Sequence, residues 1–131
     1  MIVLRPDEVR FGDSVWEGVV RVTVDRLSSR TIDDWGGLGS HVVFVDVVRQ
    51  RVVIRVTQEI DGDDFEDPIL GEQNELSFRG SKGSDAGEVI VEVVGVVDSV
   101  MNKVSDFGAT RTITLIGVSS DGVVDPIEVR S

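Results

Sequence analysis

The sequence has no cysteine, no tyrosine, a single histidine and only three prolines in 131 residues. Without cysteine there is no disulfide framework, no thiolate metal site and no cysteine nucleophile. One histidine, His41, excludes any paired-histidine metal motif. Two tryptophans and five phenylalanines are the only aromatics, which weighs against a carbohydrate-binding platform. No apolar run approaches the ~18 residues of a membrane span, and residues 1–10 lack the apolar core of a secretory signal. No motif names a reaction or a cofactor, so the chain reads as a non-enzyme with no cofactor.

Positive charge is also scarce. Lys and Arg number 13 against 24 Asp and Glu, a net charge of −11. The imbalance is local: residues 1–57 hold eight acids and eight bases, and residues 58–131 hold sixteen acids and five bases. Glu59 to Glu75 contains eight acids and no base. Such a surface repels phosphate, which argues against non-specific nucleic-acid binding through a basic stripe and disfavours an anionic membrane. It suits solubility, the steering of cations, or a passage that nucleic acid crosses without sticking.

What the sequence does have is valine, 27 of 131 residues. Branching at Cβ restricts χ1 and favours a pleated, half-buried surface. Asp7–Phe11 is a strand, and Gly12-Asp13 turns it into Val15–Asp25, where Val20, Val22 and Val24 share one face. Arg26–Ser40 reads as a long loop with a Gly-rich end, of a length usually functional or interface-forming. His41–Val48 and Arg51–Ile60 are the clearest strands, with Val52, Ile54 and Val56 toward the core. Glu75–Arg79 is a short strand and Gly80–Gly87 a flexible loop. Glu88–Asp106 is ambiguous. Val89, Val93, Val96, Val97, Val100, Met101 and Val104 fit a helical stripe, but eight valines and a central Gly95 favour a strand with at most a helical turn at its start. Ala109–Ser119 and Val123–Val129 close the chain. The expectation is one all-β domain over 1–131, a mainly antiparallel sandwich or barrel of seven to eight strands with at most one short helix.

Candidate chemistry is thin. Asp61, Asp63, Asp67 and Glu72 fall at positions 1, 3, 7 and 12 of a Ca²⁺-loop frame. Positions 5 and 6, which need an oxygen ligand and a glycine, hold Phe65 and Glu66. A solvated acidic loop is expected there. Gly36-Gly37-Leu38-Gly39 lacks phosphate-loop spacing and precedes a strand, so it reads as a turn after Trp35. Ser40, His41 and Asp46 do not make a triad, since neighbours along a strand point to opposite faces. Trp16 and Trp35 read as core or interface anchors.

The order of these pieces resembles a known plan. It runs from an opening strand pair (VRFGDSVWEGVVRVTVDR) through the long loop Arg26–Ser40 to HVVFVDVVRQRVVIRVTQEI. After the acidic loop come VVDSVMNKVSDFGATRTITLIGVS and the closing SSDGVVDPIEV. Over nearly its whole length this layout is similar to the tail-tube subunits of long-tailed bacteriophages and gene transfer agents, which share a fold with the type VI secretion tube. The resemblance implies a virion tail protein made in the host cytoplasm. It implies stacked hexameric rings whose inner faces form a continuous β-barrel around passing double-stranded DNA. Its partners would be further copies and tape-measure, terminator and baseplate proteins. The family's flanking helix could come only from Pro68–Leu76 or the start of Glu88–Asp106. Tail terminators and baseplate rings share the plan and stay open, as does a monomeric β-sandwich binding or adhesion module. The subunit-interface candidates are Trp35, Gly36, Gly37 and Leu38. If DNA passes through, the lumen-charge candidates are Glu88, Glu92 and Asp98, of one parity on a regular strand, a face shared with Ile90, Val94 and Val96.

Overall fold

The computed structural model describes residues 2–4, 6–60, 68–81, 88–106 and 108–130. Among them there is no helix, and strands follow one another as β1 (Ile2–Leu4), β2 (Asp7–Phe11), β3 (Ser14–Val15), β4 (Val19–Asp34), β5 (Phe44–Ile60), β6 (Gln73–Ser81), β7 (Glu88–Ser105), β8 (Gly108–Gly117) and β9 (Ile127–Arg130). All nine belong to one antiparallel sheet, in the order β1-β4-β5-β8-β7-β6-β2-β3. β9 pairs with Ile90–Val93 of β7, in line with β8 along the same edge. The all-β, antiparallel expectation is met, with nine strands instead of seven or eight.

The sheet does not close through hydrogen bonds, but it rolls over its own apolar face. Val22, Ile54, Val56, Leu76, Val91, Ile113 and Leu115 are wholly buried although no second layer among the described residues covers them. A single sheet can hide one face so completely only by wrapping around it. β1 comes back over β6, and a Cβ added at Gly80 would lie 3.0 Å from Val3 Cγ1. Phe11 stacks on Trp16 at the end of the core, ring centroids 5.1 Å apart. Trp16 is therefore a core anchor.

Several boundaries differ from expectation for physical reasons. β2 pairs with only two residues after the Gly12 turn, and β4 pairs instead with β1 and β5. The ladder steps from Val19↔Gln58 to Arg21↔Thr57, so Val20 is an extra residue and Val19 packs on the core in its place. His41–Val48 and Arg51–Ile60 are not two strands: from Phe44 onward they form the single β5, which runs unbroken through Arg49-Gln50. Glu88–Ser105 is one continuous strand without a helical turn. Its register passes from Val97↔Leu115 to Ser99↔Thr114, leaving Asp98 as the bulged residue. That bulge moves the inward parity from Val93 and Val97 to Val100, which explains the helix-like 4-then-3 spacing. The flanking helix is absent from the described parts of both proposed segments. Within 119–126, Asp121 and Asp125 organise turns, so the last strand begins only at Ile127.

Candidate functional site: an exposed hairpin arm

The largest departure from the expected layout lies in the segment read as a loop. Arg26–Asp34 continues β4 and pairs with β5 as far as Asp34↔Phe44. The loop shrinks to residues 35–43, closed by a bond from Val43 N to Asp34 O of 2.8 Å. Beyond Val53, β5 pairs among the described residues with β4 alone, so residues 26–52 form a two-stranded ribbon leaving the rolled sheet. Eight residue steps from Arg26 to Asp34 make it about 26 Å long.

Every residue from Arg26 to Arg51 is exposed. A solvated ribbon would be expected to be polar, yet this one displays Leu27, Ile32, Trp35, Leu38, Val42, Val43, Phe44, Val45, Val47 and Val48. Near the tip the register puts Ile32 and Phe44 on one face and Val45 and Val47 on the other, so both faces are apolar in part. Two strands alone are marginal in water. The chain as a whole exposes 8894 Å². A compact monomer of 14.3 kDa exposes about 6,800 Å². The excess of about 2,100 Å² is more than twice the ~800 Å² that one partner of a standard protein interface removes from water.

The four interface candidates sit together at the arm tip, and all are exposed. Trp35 is 58% exposed and Leu38 fully so. Asp34 Oδ1 accepts a bond from Gly36 N at 2.8 Å, and a Cβ at Gly37 would lie 3.0 Å from Val43 Cγ1, so small residues let the tip turn back tightly. His41 lies in the same tip, and Asp46 is opposite Ile32 on β5.

At the arm's other end lies a cleft of about 510 Å³ between its base and the turns at 119–126. Arg26, Arg49, Val48, Val123, Val124 and Pro126 line it. Arg26 Nη2 bonds Asp125 Oδ2 at 2.7 Å, and Asp125 Oδ1 accepts from Ile127 N at 3.0 Å. The Ile127 N–H and then the Arg26 guanidinium hold the Asp125 carboxyl below the usual carboxylate range. Asp121 Oδ1 accepts from Val123 N and Val124 N at 2.8 and 2.9 Å, and these bonds lower its pKa likewise. Arg49 is directly opposite Arg30 across the ribbon, and among the described residues neither makes an ion pair. Neither the extended ribbon nor this arginine pair was anticipated. The β-branched residues Thr31 and Ile32 were the available signal.

The acids nominated for a lumen are not equivalent. Glu92 is half-buried and ion-paired with Arg130, on the face of β7 turned away from the core. Asp98 occupies the bulge and is exposed, so it leaves the regular alternation that grouped it with Glu92. Glu88 begins β7 opposite Ser81, and its side chain lies outside the described residues. Residues 61–67 of the acidic segment and 82–87 of the segment expected as a flexible loop lie outside them too. Among the described residues no group of three or more acidic or histidine side chains is arranged to hold a metal ion. No helix there is long and apolar enough to cross a membrane. No protein-family model matches the chain, and no curated protein is similar to it in sequence.

Proposed function

We propose that this chain is a structural subunit that assembles with copies of itself, in the manner of a tail-tube ring protein whose lumen conducts double-stranded DNA. The observation that carries the reading is the arm, 26 consecutive exposed residues of which ten are Trp, Phe, Leu, Ile or Val. Contiguous exposed apolar surface of this kind marks a site of association. A heterologous contact, arm of one copy on the body of the next, repeats into a ring or filament. The acidity of residues 58–131 supports passage of DNA without adhesion, because a wall that offers no cluster of bases gives phosphate nothing to hold. Terminator and baseplate rings are variants of the same reading, with further tail proteins as partners and the virion as location.

Negative-stain microscopy of the concentrated protein tests the proposal. Rings or stacked tubes with a central channel are expected. Isolated small particles at every concentration would refute it and favour a monomeric binding module.

A further inference from the structure

The cleft at the arm base and the tip of the arm are complementary. The cleft offers Arg49, which has no ion pair among the described residues, beside the exposed Val48, Val123 and Val124. Its like-charge neighbour Arg30, directly opposite across the ribbon, is an unfavourable pairing for an isolated chain. A carboxylate brought from outside removes that repulsion. The cleft's own carboxylate, Asp125, is taken by Arg26, and the tip offers a second one for Arg49: Asp33, which makes no side-chain hydrogen bond or ion pair among the described residues, followed by exposed Trp35 and Leu38. Asp34, in contrast, is occupied in shaping the turn. The tip does not serve its own cleft: Asp33 stands three residue steps, about 10 Å, along the extended ribbon from Arg30, the residue opposite Arg49, and makes no ion pair with it.

We propose that the cleft receives the arm tip of a second copy of this chain, with Asp33 against Arg49 and with Trp35 and Leu38 against Val48, Val123 and Val124. This rests on the reading that the chain assembles through its arm, and adds where the arm goes. The contact is head-to-tail: each copy offers a tip and a cleft, so one interface propagates until a ring closes. Its charged pair fixes register while the apolar residues supply most of the attraction. Addition of salt therefore weakens assembly without abolishing it.

Charge reversal tests the contact. Asp33→Arg and Arg49→Asp are changes at exposed positions that leave the far-ultraviolet dichroism unaltered. Each alone is expected to raise the protein concentration needed for assembly by about tenfold or more. The double variant restores assembly, and so does an equimolar mixture of the two single variants, since each tip then meets an opposite charge on its neighbour. Tryptophan emission shifts to the blue on assembly, and the shift disappears in Trp35→Phe. If both single variants assemble as the unaltered chain does, the tip docks elsewhere and only this inference falls. If the unaltered chain never assembles, the functional reading falls with it. If Arg49→Asp instead abolishes the retardation of duplex DNA on a gel, and mixing restores nothing, the arginines serve phosphate and the proposal is overturned.

Discussion

Gln58 and Arg111 stand directly opposite each other in the β5–β8 ladder, and both are buried at the end of the rolled sheet. Arg111 Nη2 and Nε donate to Gln58 Oε1 at 2.7 and 3.3 Å, and Gln58 Nε2 donates to Glu17 O at 2.6 Å. No buried side-chain nitrogen or oxygen among the described residues lacks a partner. The pair ties the 16–18 crossing to two central strands in a core otherwise made of hydrocarbon. It also shares its surroundings with a cavity of about 440 Å³ bordered by Trp16, Glu17, Glu59 and Glu72.

Gln58→Leu takes a hydrogen-bonding acceptor from a buried guanidinium and is expected to cost about 2–3 kcal/mol in urea unfolding. Replacing both residues, Gln58→Leu with Arg111→Met, is expected to cost less than the single change, because no buried charge is left to satisfy. A double variant less stable than the single one would show that Arg111 has a larger structural role than this pair.

The same crossing depends on Gly18. Its φ is +72°, and a Cβ there would lie 2.7 Å from the carbonyl oxygen of Glu59, whose N–H donates back to Gly18 O at 2.9 Å. Gly122 also has positive φ, at +84°, but faces open space. Gly122→Ala should therefore cost only the backbone term, about 1 kcal/mol. Gly18→Ala should cost clearly more, since a strand backbone must also shift. Equal losses in thermal unfolding would mean that the Gly18–Glu59 approach is not rigid.

Much of this core was legible from alternation alone. Val22 and Val24, and Val52, Ile54 and Val56, face inward because a period of two with one dry face allows little else. The failures cluster at bulges. At Val20 and Asp98 one inserted residue moves the inward parity, and a strict period of two cannot anticipate it. The arm was missed for a different reason. Arg26–Asp34 is polar enough to read as loop, and its partner strand, not its own composition, makes it β. Its tip residues Trp35 and Leu38 could be singled out as large apolar groups in polar surroundings. Their cleft could not, because it joins Arg26 and Arg49 to residues 119–126, far along the chain.

The turns that wall the cleft give a pH signature. The carboxyls of Asp121 and Asp125 have lower pKa values in the folded state than in the unfolded chain. Each therefore contributes stability that is present above the unfolded value, near pH 4, and lost as pH falls through the depressed folded value. Asp125→Asn should lower the melting temperature at neutral pH, by an amount equivalent to about 1 kcal/mol or less for so exposed a pair. The gap from the unaltered protein should close below pH ~4. A gap that persists undiminished at pH 2–3 would mean that the carboxylate charge is not what holds these turns.

Sedimentation velocity of the full chain beside one lacking residues 33–38 tests self-assembly through the arm most directly. The unaltered chain is expected to pass with rising concentration from the 14.3 kDa subunit to rings or stacks of rings several-fold larger or more. The shortened chain should keep its β dichroism and remain a subunit throughout. A full chain that stays at 14.3 kDa at every concentration, or a shortened chain that assembles as readily as the full one, would contradict the account.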